Sequence, residues 1–126
     1  MTGRVVHFEI PADDVERASN FYRETFGWQV ASMPDMDYTI LGTTPTDDTG
    51  MPTELGGING GMSDRSGPIR NVVITIEVDD IDTALERVEH FGGTTVAGRQ
   101  AIAAIGFTGY FADPEGNVIG LWQNAG

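Results

Sequence analysis

The sequence predicts an α+β domain built from two modules of one plan, β-α-β-β-β. Two observations lead there. The first is a repeat: Arg4 to Val30 returns as Arg70 to Val96 at a constant offset of 66 residues. Arg4, Val6, Ile10, Asp13, Asp14, Ala18, Gly27 and Val30 recur as Arg70, Val72, Ile76, Asp79, Asp80, Ala84, Gly93 and Val96. Two copies in 126 residues are too few for a solenoid and fit two half-domains. The second is a change of period inside each copy, from two to about 3.6, followed by short strand-like runs between turn signals. The expected boundaries are one domain over 1–126, with module one at 4–62, a linker at 63–69 and module two at 70–123.

The first strand alternates. Val6, Phe8 and Ile10 fall on one face and suit a helix; Val5, His7 and Glu9 fall on the other, toward something polar or open. Asp13 with Glu16 reads as a capping box opening a helix, Val15, Ala18, Tyr22 and Phe26 as its buried stripe, and Gly27 as its left-handed stop. Trp28–Met33 and Tyr38–Gly42 read as strands around a turn at Pro34-Asp35. The stretch 43–54 lacks periodicity and is expected as a long loop, mobile or acting as a lid. Only the repeat makes Leu55–Met62, LGGINGGM, a strand.

In the second module Val72, Ile74, Ile76 and Val78 form the helix-facing edge of a strand. Asp79 or Asp80 caps a helix with the stripe Ile81, Ala84, Leu85 and Val88, ended by Gly92-Gly93. A strand near Thr94–Ala97 leads through a loop at Gly98-Arg99-Gln100 to a strand at Phe107–Ala112. Asp113-Pro114-Glu115-Gly116-Asn117 is a tight turn before the last strand, Val118–Gln123.

Net charge is −12, all seven basic residues are arginine, and cysteine is absent. Such a surface repels nucleic acid and anionic membranes, so neither is expected as a partner. The acidity fits either a high-salt habitat or a GC-rich genome that favours arginine codons. Without cysteine there are no disulfides, thiolate metal sites or cysteine nucleophiles. No apolar run reaches bilayer-spanning length, and the start MTGRVVHFEI has no charged-then-apolar leader, so a cytoplasmic location is expected.

Three segments carry a family resemblance: VVHFEIPADDVERASNFYRETFGW, IEVDDIDTALERVEHFGGT and, most specifically, FADPEGNVIGLWQ. In this order the chain resembles the vicinal oxygen chelate superfamily, which includes glyoxalase I, extradiol dioxygenases, fosfomycin-resistance enzymes and bleomycin-binding proteins. The resemblance implies two β-α-β-β-β modules forming a curled mixed sheet, with a ligand cup between them, and commonly a homodimer. It also implies a divalent metal held by a first-strand residue of each module and a last-strand glutamate. The matching positions here are His7, Val73 and Gly120. Valine and glycine supply no side-chain donor, so no metal and no cofactor are expected. Glu77 is read as facing away from Val73.

The candidate ligand pocket comprises His7, Glu9, Trp28, Tyr38, Val73, Thr75, Tyr110, Gly120 and Trp122. His7 and Glu9 share a strand face and are the catalytic candidates if the protein is an enzyme, since imidazole titrates near neutrality and a carboxylate can hold its tautomer. Otherwise His7 is a hydrogen-bonded histidine in a partly polar cavity. The aromatics would wall a small-molecule site, with core or dimer packing as their alternative. Arg99 and Gln100 are loop residues able to hold an anionic group. The function expected is metal-independent binding of a small organic molecule; the alternative is a lyase, isomerase or dioxygenase of the same superfamily.

Overall fold

The computed structural model describes residues 3–33, 37–65 and 69–126, so the turn expected at Pro34-Asp35 and part of the linker lie outside the described residues. Ten elements follow in order: β1 (Val5–Ala12), α1 (Val15–Phe26), β2 (Gln29–Met33), β3 (Tyr38–Gly42), β4 (Asn59–Asp64), β5 (Val73–Glu77), α2 (Ile81–His90), β6 (Thr94–Ile102), β7 (Gly106–Ala112) and β8 (Val118–Asn124). The class is α+β, and the order is β-α-β-β-β twice. Contacts divide the chain into two compact units, one of residues 7–72 and one of residues 3–6 with 73–126. The head of β1 therefore goes with the second half: Gly3 N donates to Glu77 O at 2.7 Å and Glu77 N to Arg4 O at 2.9 Å.

In the first unit the strands lie in the order β2-β3-β4-β1, with β1 and β4 parallel and the other pairs antiparallel. The helix-side core is Ala12, Leu41 and Met62, packed by Phe8, Ile10, Val15, Ala18, Tyr22, Trp28 and Val30. In the second unit β5 pairs with β8 in parallel, and β8-β7-β6 continue antiparallel. Its core is Ile81, Leu85 and Leu121, with Ile76, Val78, Ala84, Phe107 and Phe111 against it. Ile76 and Val78 thus face the helix as the alternation requires, whereas Val72 and Ile74 are exposed.

Local chemistry sets the ends. Asp14 caps α1, accepting from Arg17 N at 3.0 Å; Asp13, the expected cap, instead pairs with Arg65 at 2.9 Å. Asp80 caps α2 in the same way, accepting from Thr83 N at 3.1 Å. Gly27 closes α1 in the left-handed region at φ 73°. Asp14→Ala should lower stability by about 1 kcal/mol by orphaning the first-turn N–H, whereas Asp13→Ala should cost clearly less, as exposed ion pairs do. Urea denaturation of the two variants checks this order, and equal losses would refute the capping assignment.

The long loop after β3 is hydrogen-bonded within itself, and its first residues are tied to β4. Asp47 Oδ1 accepts from Thr49 N at 2.9 Å and Met51 N at 3.1 Å, and Thr46 bridges Pro52. Asn59 Oδ1 accepts from Thr43 N at 2.7 Å and Thr44 N at 3.0 Å. β4 starts at Asn59 and not at Leu55, because Gly56 has φ 84° and breaks the extended run. β6 runs through Gly98-Arg99-Gln100, where a loop is expected, absorbing the glycine in an irregular register between Ala97 and Gln100. Among the described residues no helix is long and apolar enough to cross a membrane.

Candidate functional site

Each unit has a sheet face without a helix, and the site candidates divide between these two faces. In the first unit the register pairs His7 with Asn59 and Glu9 with Gly61, and Gly61 also with Ile40. Strand side chains alternate, so His7, Glu9, Gly61, Ile40 and Tyr38 share the helix-free face. His7 Nε2 lies 3.0 Å from Tyr38 Oη, a hydrogen bond between part-buried groups. Glu9 is 9% exposed.

The electrostatics of this trio follow from burial. Desolvation lowers the His7 pKa, which favours the neutral ring near neutral pH. Burial raises the Tyr38 pKa strongly, and the nearby Glu9 charge raises it further, so the phenol keeps its proton. A neutral imidazole and a protonated phenol make a coherent pair, with one nitrogen accepting from the hydroxyl.

Gly61 makes the pair possible. A Cβ built on Gly61 would lie 1.7 Å from Tyr38 Oη and 2.0 Å from its Cζ, so the ring occupies that space. Its neighbour Gly60 faces the other way, and a Cβ there would lie 2.5 Å from Phe8 Cε2. The two glycines of NGGM each receive an aromatic ring, on opposite faces of β4. The doublet was visible in the sequence; what it accommodates was not.

Trp28 does not join this face. Its ring stacks on Tyr22 at 4.7 Å and 6°, and it packs against Phe8 at 5.8 Å. It therefore belongs to the helix-side core, because Tyr22 on the buried stripe of α1 offers a flat partner.

In the second unit Thr75 pairs with Gly120, Glu77 with Trp122, and Tyr110 with Gly120. Val73, Thr75, Tyr110, Gly120 and Trp122 thus share one face. Thr75 is 4% exposed, and its Oγ1 is buried without a hydrogen-bond partner among the described residues. That hydroxyl points at the space above Gly120, 2.9 Å from where a Cβ would stand. Glu77 shares this face as well, contrary to the expectation that it turns away: residues 73, 75 and 77 are in phase. Its carboxylate is engaged, accepting from Asn124 Nδ2 at 3.1 Å and meeting Arg4 Nη2 at 3.5 Å. Asn124 Oδ1 in turn accepts from Trp122 Nε1 at 2.9 Å.

Arg99 is not a free anion hook. It lies on β6, 3.7 Å from Asp82 and with its guanidinium over the Phe107 ring at 4.8 Å.

The metal that the family resemblance implies is not matched by these residue types. The Val73 and Gly120 side chains have no donor, the His7 Nε2 is committed to a phenol that stays protonated, and no group of three His, Asp or Glu side chains converges among the described residues.

The family model "Bleomycin resistance protein-like N-terminal" matches residues 4–44. A glyoxylase-like domain-containing protein of Didymella fabae is 30% identical over 98% of this chain and 96% of its own length. The chain belongs to the glyoxalase/bleomycin-resistance, or vicinal oxygen chelate, superfamily. Another glyoxalase-like relative, CFP32 of Mycobacterium bovis, is 26% identical over 91% of this chain, which spans only 43% of that protein. Among solved structures, Streptomyces coelicolor methylmalonyl-CoA epimerase in complex with 2-nitronate-propionyl-CoA superposes with a TM-score of 0.69 at 15% identity, covering 100% of both chains. The Mycobacterium tuberculosis methylmalonyl-CoA epimerase gives 0.63 at 18% identity over 98% of this chain and 89% of that one. At such identities these matches speak for the glyoxalase-like fold alone.

Proposed function

We propose that this glyoxalase-like protein binds a small organic molecule without a metal, through the helix-free face that carries His7, Glu9 and Tyr38. The observation that carries the reading is the 3.0 Å contact between His7 Nε2 and Tyr38 Oη. The nitrogen that would otherwise be available to a cation is used to set a polar surface of neutral donors and acceptors beside a buried carboxylate. A few fixed polar groups among apolar ones are the usual means of orienting a small ligand. On the second module Thr75 is the corresponding candidate, since a buried hydroxyl without a partner favours a ligand or water that completes it.

A second reading is acid–base catalysis. A desolvated neutral imidazole next to a phenol can accept a proton from a substrate carbon or hydroxyl. The epimerases that share the fold act on acyl thioesters, so exchange of a carbon-bound hydrogen of an acyl thioester with deuterated solvent is the assay for it.

The primary test combines elemental analysis with a thermal-shift screen of aromatic alcohols, acids and amines, in the presence and absence of EDTA. The expected result is sub-stoichiometric metal and ligand shifts that EDTA leaves unchanged. Stoichiometric Zn, Fe, Mn or Ni, with ligand shifts abolished by EDTA, would overturn the proposal.

A further inference from the structure

We propose that the groove where the end of β1 meets the start of α1 is a second binding site, for an organic oxyanion such as a phosphate monoester or a carboxylate. The groove has a volume of about 410 Å³ and lies within residues 10–72. That is the size of small-molecule sites. Its lining divides into Arg17, Arg65 and Arg70 for the anionic end and Ile10, Ala18 and Tyr22 for an apolar body.

The charge distribution singles it out. Three of the seven basic residues of a protein with net charge −12 line this one groove. The two aspartates beside them are engaged: Asp14 caps α1 through Arg17 N, and Asp13 pairs with Arg65. Counted with both, the groove still carries one net positive charge.

Two of the three arginines are also held in place. Arg65 donates through Nη1 to Asp13 at 2.9 Å and through Nη2 to Pro11 O at 3.3 Å, while its buried Nε has no hydrogen-bond partner among the described residues. Arg70 Nη1 donates to Arg65 O at 2.8 Å, tying the second guanidinium to the first residue's backbone. Arg17 makes no ion pair among the described residues. Planar guanidinium donors held in fixed positions suit phosphate and carboxylate oxygens. The groove is separate from the His7 face, because Ile10 and Ala12 look toward α1 while His7 and Glu9 look the other way.

The test is calorimetric titration and thermal shift with phenyl phosphate, benzoate and inorganic phosphate, at ionic strength matched with sodium chloride. Phenyl phosphate or benzoate should give a saturable stabilisation larger than that of inorganic phosphate, and the comparison of the two names the preferred anion. Arg17→Gln with Arg70→Gln, both exposed positions, should weaken binding at least tenfold without lowering the ligand-free melting temperature. Asp13→Asn should strengthen binding, since it removes a negative charge from the groove while its side-chain oxygen can still accept from Arg65. No saturable response to either organic anion, or a response that survives the double substitution, would overturn the site. An equal response to inorganic phosphate would overturn its organic part.

Discussion

Gly61→Val should unseat Tyr38 and lower stability by about 1–3 kcal/mol, the usual cost of overpacking a filled site. The substitution raises intrinsic strand preference, so local propensity predicts the opposite sign. Sterics decide: the first added carbon would fall 1.7 Å from Tyr38 Oη. The ring must leave, and His7 Nε2 then loses its 3.0 Å partner. Gly60→Val is the control, because its added carbon meets Phe8 at 2.5 Å on the helix side. Both variants should melt several degrees lower, but only the change at Gly61 should remove the hydrogen bond at His7 Nε2, read from the nitrogen shift of that ring atom in an NMR spectrum. In a double-mutant cycle, Tyr38→Ala should recover much of the loss at Gly61 and none of the loss at Gly60. A Gly61→Val protein with unchanged melting temperature and unchanged His7 resonances would refute the seat.

Acidification should destabilise the protein through His7, beginning well above the carboxylate range. Burial lowers the His7 pKa in the folded state. The unfolded imidazole takes up its proton near the ordinary value of about 6.5, and the folded one does so only at lower pH. Stability from the neutral ring is therefore complete above about pH 6.5 and is lost as pH falls from there toward the folded value. The slope in that window reaches at most about 1.4 kcal/mol per pH unit for one proton. Tyr38 acts at the other end: its pKa is raised by burial and then by the Glu9 charge, so its contribution holds below about pH 10 and is lost above it. Asp47, Asp80 and Asp113 have lowered pKa values from local hydrogen bonds, and their contributions fade only in the acid range below about pH 4. Urea unfolding from pH 5 to 9 should thus show a shoulder that His7→Gln removes. Parallel profiles for the two proteins would disprove the assignment.

That Val73 and Gly120 offer no side-chain donor is legible from residue types alone. The phase that links Thr75 to Val73, and Trp122 to Gly120, follows from strand alternation; the register between β5 and β8 then brings Thr75 beside Gly120. The same arithmetic was enough to place Glu77 beside Val73, and the structure corrects that reading. Asp13 read as the cap of α1 because Glu16, three residues on, completes a capping box; Arg65, distant in the sequence, pairs with Asp13, and Asp14 caps the helix instead. Trp28 carried no local signal for its side, because it precedes its strand and its direction is set by stacking on Tyr22.

By itself the sequence determined the order β-α-β-β-β twice, the common face of His7 and Glu9, and the helix stripes except at Phe26, which was expected buried and is 63% exposed at the last turn of α1. These depend on local periodicity, and the repeat states that periodicity twice. Only tertiary structure decided that Tyr38 reaches His7 over Gly61, that the hydroxyl of Thr75 is buried without a hydrogen-bond partner among the described residues, and that Arg17, Arg65 and Arg70 line one groove. Each of these joins residues from different elements. Their meeting is set by strand register and helix packing, which no single stretch of the chain encodes.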